Sequence, residues 1–276
     1  MRFTKMHGLG NDFIIIENME NKIDPVYLAK QAPGLCNRNF GIGADGLVIL
    51  ASSSKAPFRM SIFNPDGSEP EMCGNAIRCL AKYVWDRRLI NETTFSFDTA
   101  AGIKEVNLLI GGQGGDAVRV DMGEPVLDRE KIPVEGSSRQ AINESISIGE
   151  KELIFTAVSM GNPHCVIFVP DLEAAPWKSW GAVLEKEPLF PKGTNVEFVE
   201  IMNSGEIKVK VWERGVGPTL ACGTGACAAV VAGVLTGQLL NAVVVHLPGG
   251  DLLINWEKSK KVYMEGPAVE VFTGEV

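Results

Sequence analysis

The chain has 276 residues, with 26 Lys+Arg against 34 Asp+Glu for a formal charge of −8, and is 45% hydrophobic. That composition suits a folded globular protein of one large domain or two ordinary ones, and its acidity argues against a nucleic-acid or membrane-surface partner. Six Cys are too sparse for a disulfide-stapled secreted scaffold, and MRFTKMHGLGND has no apolar run of signal-peptide length, so a cytoplasmic protein with free thiols is expected.

The predicted elements, in chain order, occur twice. An apolar β-run (Phe13–Glu17) is followed by a short, poorly patterned segment, then by β-runs at Leu47–Leu50 and Arg59–Phe63. A Gly/Pro-rich loop leads to Cys73-Gly74, which opens a helix over about Asn75–Trp85, and alternating strands follow at Thr94–Phe97, Lys104–Leu109 and Val118–Asp121. The series then recurs: Val166–Val169, Val196–Ile201, Ile207–Trp212, a helix over about Thr224–Leu235, and strands Ala242–Leu247, Leu252–Trp256 and Val262–Glu265. The second helix lies in a stretch, Gly215 to Gly250, that has no charged residue. Its densest apolar part, Ala226–Leu235, is far short of the ~20 residues of a bilayer span, so a helix buried on all sides is expected.

Direct self-comparison supports the duplication. Gly10-Asn11-Asp12-Phe13 recurs as Gly161-Asn162-Pro163-His164 at an offset of 151, and Gly43–Ile49 aligns with Gly193–Val199 at 150. Ser61–Asn64 aligns with Lys210–Glu213 and Cys73-Gly74-Asn75 with Cys222-Gly223-Thr224, both at 149. Phe95–Gly102 aligns with Val243–Gly250 at 148. The chain therefore reads as two copies of one α/β unit, roughly 1–122 and 153–267. The glycine-rich Gly111–Gly115 interrupts the end of the first copy, and Ala268–Val276 forms a tail. One helix among about six strands predicts a strongly curved sheet around a central helix rather than a doubly wound fold.

The duplication sorts the cysteines. Cys36, Cys79, Cys165 and Cys227 align with Lys186, Ala228, Ile14 and Arg78, and are expected as inert core thiols. Only Cys73 and Cys222 align with each other. Two thiols related by a pseudo-two-fold suit a two-base racemase or epimerase: one thiolate takes the α-proton from one face while the other thiol protonates the opposite face. A Cys opening a helix has its ionisation favoured by free N–H groups and the helix dipole, which can also hold a substrate carboxylate. Asn11 recurs as Asn162, and Asn64 aligns with Glu213, beside an Arg214 able to bind a carboxylate bidentately. The Cys73…Cys79 and Cys222…Cys227 spacings and the scattered His7, His164 and His246 do not match a zinc site. No Cys-x-x-Cys pair occurs, and His7–Asp12 lacks the third glycine of a dinucleotide loop.

The motifs KMHGLGNDF (Lys5–Phe13), FNPDGSEPEMCGNAIRC (Phe63–Cys79), SMGNPHCV (Ser159–Val166), GTNVEFV (Gly193–Val199) and WERGVGPTLACGTGACA (Trp212–Ala228) span nearly the whole chain. In that order they resemble the diaminopimelate epimerase family. The resemblance implies interconversion of LL- and meso-diaminopimelate with Cys73 and Cys222 as acid/base pair, no metal and no cofactor. It implies a pocket from Asn11, Asn64, Gly74, Asn75, Asn162, Asn195, Glu213, Arg214, Gly223 and Thr224, with His164 and Glu213 near the reacting centre. The second stereocentre would be held by Asn64, Asn162, Asn195 and Arg214. It further implies two pseudo-symmetric halves, 1–122 with 268–276 and 123–267, a site in the cleft between them, and a homodimer. Asp45-Gly46 departs from the Asp-Gln of some members, and Ala76 from the Gly of many. The alternatives are a racemase of proline or histidine on the same fold, or a non-catalytic thiol redox or ligand-binding module.

Overall fold

The computed structural model describes residues 1–112 and 115–276; Gln113 and Gly114 of the glycine-rich connection lie outside the described residues. The chain divides into two units, Met1–Asp121 with Glu265–Val276, and Met122–Met264. In the first, β1 (Arg2–Gly8) and β2 (Asn11–Asn18) form an antiparallel hairpin, and β17 (Val269–Glu275) adds to the free edge of β1. Helix α1 (Pro25–Leu35) crosses from β2 to the parallel β3 (Gly46–Ala51), which pairs antiparallel with β4 (Phe58–Phe63). Helix α2 (Gly74–Asp86) then crosses to β5 (Thr94–Thr99), parallel to β4, and antiparallel β6 (Gly102–Gly112) and β7 (Gly115–Gly123) follow.

The second unit repeats this order. A hairpin of β8 (Glu144–Ile148) and β9 (Lys151–Ser159) leads into β10 (Pro163–Phe168), antiparallel to β9. Helix α3 (Trp177–Leu184) crosses to the parallel β11 (Asn195–Asn203), which pairs antiparallel with β12 (Glu206–Glu213). After the short β13 (Gly217–Thr219), helix α4 (Gly223–Leu235) crosses to β14 (Ala242–Leu247), parallel to β12. β15 (Gly250–Trp256) pairs antiparallel with β14, and β16 (Val262–Gly266) returns the chain to the first unit. The architecture is thus mixed α/β and strand-dominated, in two copies of one plan.

In each unit one helix is wrapped by the sheet. Helix α2 contacts β1, β2, β3, β4, β6 and β17, and α4 contacts β9, β10, β11, β12 and β15. Each is 13 residues long with ten of them buried, which is why α4 carries no charge and why its small residues pack on every side. Among the described residues no helix is long and apolar enough to cross a membrane.

The poorly patterned segments of the sequence are α1 and α3. Helix α1 has a start signal, Asp24 capping Val26 N with Pro25 next, but Pro33 and Gly34 lie within it and only Leu28 and Ala32 are buried. Helix α3 spans two turns and buries only Gly181 and Leu184, too few positions to show a period. The mostly exposed β17 also has no alternation to reveal it.

Strand pairing corrects one block of the repeat. Phe13 pairs with Gly46, and His164 with Asn195. The second block therefore aligns at an offset of 149, not 150, because a one-residue slip moves every side chain to the opposite face. In the corrected register Leu47 and Ile49 match Val196 and Phe198, all four in the apolar clusters beneath α1 and α3. Glu197 then matches Val48, on the face turned towards the central helix.

Helix α3 seats on β12 through Gly181, where an added Cβ would lie 2.6 Å from Trp212 Cβ and 2.7 Å from its Cγ. These atoms are near the backbone and cannot swing aside. G181A is expected to destabilise the protein by about 1–3 kcal/mol, despite Ala's better helix propensity. Thermal denaturation should show a drop of several degrees; an unchanged or raised midpoint would contradict the packing.

Candidate active site

In the first unit, Cys73 has extended backbone angles (φ −138°, ψ 116°) and is the N-cap of α2. The first N–H groups of a helix have no intrahelical acceptor, so the sulfur sits beside donors oriented for negative charge. The thiol donates to Asn11 Oδ1 at 3.9 Å, an oxygen that also accepts from Asn75 Nδ2 at 3.0 Å. Asn11 reaches this point because Leu9 and Gly10, both at positive φ (57° and 83°), make the tight turn between β1 and β2.

Behind Asn11 stands a charged network. Asn11 Nδ2 donates to Asp45 Oδ2 at 2.8 Å, fixing the amide so that its oxygen faces the thiol. Arg38 grips both Asp45 (2.6 Å) and Asp12 (2.8 and 3.1 Å), and Lys5 adds an ion pair to Asp12 at 2.8 Å. Burial pushes the Asp12 carboxyl up, but hydrogen bonds from Arg38 and Lys5 outweigh it and hold the group well below the usual carboxylate range. Asn64 lies apart from this network, in a turn where its Nδ2 donates to Ser68 Oγ at 2.9 Å. At Gly46 an added Cβ would come within 3.1 Å of Phe63 O and 3.4 Å of the Phe13 ring, so a side chain there needs its neighbours to give. Asp45 holds Asn11 instead. Ala76 is fully buried in α2.

In the second unit, Cys222 is the N-cap of α4 (φ −113°, ψ 106°) and is buried. Its Sγ accepts from Gly225 N at 3.4 Å and lies 3.5 Å from Thr224 Oγ1. Thr224 Oγ1 accepts from Asn162 Nδ2 at 3.3 Å, Asn162 Oδ1 is 3.0 Å from His164 Nε2, and His164 Nδ1 is 2.7 Å from Glu197 Oε1. Burial, then the charges of Glu213 and Glu197, push the Cys222 thiol well up, against smaller opposing effects of Thr224 and Gly225. Asn195 Oδ1 accepts from Arg214 N at 3.0 Å and its Nδ2 donates to Pro163 O at 2.8 Å. Arg214 Nη1 donates to Lys192 O at 3.0 Å, and Glu213 Oε1 accepts from Thr219 Oγ1.

The structure thus joins Cys73, Asn11 and Asn75 in one unit, and Cys222, Thr224, Asn162 and His164 in the other, with Gly74 and Gly223 as the first helical residues. All six cysteines are unbridged. Burial pushes Cys36 up to about 11 and Cys79 up to about 12, and raises Cys165 well above an ordinary thiol. Sequence reasoning missed Asp45 and Glu197. Glu197 had a signal, an acid within the otherwise apolar Val196–Val199, and the misplaced register hid it.

Solved structures with this fold have TM-scores of 0.73, for a Bacillus anthracis phenazine biosynthesis protein of the PhzF family (15% identity), and 0.71, for an Agrobacterium vitis hydroxyproline epimerase (18%). Both cover 100% of this chain, which covers 98% and 90% of theirs. The architecture is therefore that of a class containing PhzF-type proteins and amino-acid epimerases. The diaminopimelate epimerase family model matches residues 3–127 and 156–271. The Pelotomaculum thermopropionicum diaminopimelate epimerase is 53% identical over 275 residues, covering 100% of this chain and 98% of its own. The chain belongs to the diaminopimelate epimerase family.

The depressed Asp12 carboxyl makes a pH-dependent contribution to stability. Because the folded group ionises below the unfolded value of ~3.9, its contribution is complete above that pH and fades as pH falls towards the folded value. D12N is expected to lower the unfolding free energy by about 1–3 kcal/mol at pH 7. In urea titrations the gap between wild type and variant should narrow from pH 4 to pH 2.5. A gap that stays constant would contradict the network.

Proposed function

We propose that the chain interconverts LL- and meso-diaminopimelate, with Cys73 and Cys222 as the two acid/base groups on opposite faces of the reacting α-carbon. Family membership makes it an isomerase of the epimerase type, a step that supplies lysine and peptidoglycan precursors. The observation carrying the mechanism is a cysteine at the N-cap of the central helix in both units, within hydrogen-bonding reach of Asn11 in one and of Thr224 and Gly225 N in the other.

In this reading each half, 1–122 with 268–276 and 123–267, contributes one sulfur to the reaction. One sulfur, as thiolate, takes the α-proton, and the electron pair of the broken C–H bond is delocalised into the substrate carboxylate. The other sulfur, as thiol, gives its proton to the opposite face. The inverted centre is released with the thiol and thiolate exchanged, and the reverse reaction starts from that state.

Abstraction of an α-proton is difficult because charge builds on carbon and carboxylate, so preorganised donors are needed where that charge appears. The first turns of α2 and α4 supply backbone N–H groups from Gly74, Asn75, Gly223 and Thr224. Asn11 and Asn75 orient the carboxylate beside Cys73, while His164 and Glu213 flank the reacting centre. Asn64, Asn162, Asn195 and Arg214 hold the distal amino-acid group, Arg214 by a forked contact with its carboxylate. The proton shuttle is complete with two sulfurs and assigns no role to a metal or cofactor. The enzyme works in the cytoplasm as a homodimer.

Replacing either sulfur leaves a hydroxyl too weakly acidic to take its place. C73S and C222S are each expected to fold normally by circular dichroism while losing about 10²–10⁴-fold in epimerisation rate. The wild type should turn over both diaminopimelate isomers and neither proline nor histidine. Full activity in either variant, or racemisation of proline or histidine at comparable rates, would overturn the reading.

A further inference from the structure

The corrected repeat register isolates one pair of residues. In the first unit Phe13 and Val48 occupy the face turned towards α2, and both are buried and apolar. In the second unit the same positions are His164 and Glu197, each with a side chain 0% exposed. A buried, hydrogen-bonded polar pair is usually no more stabilising than an apolar pair of similar volume. Its presence in one copy alone therefore calls for a role other than stability.

Glu197 Oε1 holds His164 Nδ1 at 2.7 Å, and Glu197 Oε2 has no hydrogen-bond partner among the described residues. An added Cβ on Gly225 would fall 2.7 Å from Glu197 Oε1, so the carboxylate packs against the first turn of α4 and needs glycine there. With Nδ1 held by Glu197, His164 directs Nε2 to Asn162 Oδ1, and the Asn162 amide nitrogen then donates to Thr224 Oγ1. That leaves the Thr224 hydroxyl proton for Cys222 Sγ, 3.5 Å away.

We propose that Glu197 is a positioning residue for the Cys222 half of the site: it anchors His164 and so sets the direction of the hydrogen-bond chain ending on the Cys222 sulfur. The proposal rests on the two-thiol reading and adds a residue to it. Glu197 has a second effect through charge. The titratable groups around Cys222 are Glu213 on β12, Glu197 on β11 and His164 on β10, and the two carboxylates oppose formation of a thiolate. Nothing equivalent occupies the matching Phe13 and Val48 positions beside α2, so the two sulfurs work in unequal surroundings.

Two variants separate the contributions. E197Q keeps the shape and removes the charge; E197D keeps the charge and withdraws it from His164. Iodoacetamide alkylation across pH, resolved for each cysteine by peptide mass spectrometry, reports on the sulfurs without needing turnover. In E197Q the Cys222 midpoint is expected to fall by about one pH unit while that of Cys73 stays put. In E197D the Cys222 midpoint should hold, while kcat drops about tenfold or more with KM changed far less.

An unmoved Cys222 midpoint in E197Q, or wild-type kcat in E197D, would overturn the proposal. Should E197Q not fold, E197D decides alone. The alkylation arm remains interpretable even if the C73S and C222S results reject the two-thiol reading, so the two failures are distinguishable.

Discussion

A helix that starts inside a protein leaves several backbone N–H groups unpartnered, and they must be met by side chains, water or ligand. Here each central helix begins at a cysteine, so the sulfur lies beside the oriented donors of the first turn, and in α4 it accepts from Gly225 N. The rest of each unit follows from presenting that turn. A sheet wraps the helix, parallel crossovers deliver the strand ends to it, and tight turns place Asn11 and Asn162 alongside. Small residues line α4, where Gly225 admits a carboxylate and Gly233 meets Leu239 at a distance no larger side chain would allow.

The two copies share topology but not chemistry. Around Cys73 the polar support is layered outward, from Asn11 to Asp45 to the half-exposed Arg38. Around Cys222 it is layered inward, through Thr224, Asn162 and His164 to the fully buried Glu197. In the proposed two-thiol reaction the sulfurs stand in opposite protonation states at the start of each turnover. Unequal surroundings give each sulfur its own bias, whereas a perfectly symmetric pair would have none.

Much of this was legible in the residues. The duplication, the two central helices and the singling out of Cys73 and Cys222 come from exact repeats such as Cys-Gly and Gly-Asn at matching offsets in the two copies. Helices α1 and α3 were not legible, since they lie on the outside of the sheet and bury two residues each, too few to impose a period. The error of one residue in the second repeat block has a similar cause. Val, Ile, Leu and Phe alternate there with little distinction, so either face of the strand accepts the alignment. Only the pairing of His164 with Asn195 decides it, and Glu197 becomes visible once that register is known.

The central claim is that two different groups handle the proton on the two faces of one carbon. Its most direct measurement is the hydrogen isotope at the epimerised carbon during the first few per cent of reaction in D2O, starting from LL-diaminopimelate. Two thiols predict product carrying one solvent deuterium at that carbon while remaining starting material carries none. Product that keeps its original hydrogen, or starting material that exchanges as fast as product forms, would show a single base serving both faces and contradict the account.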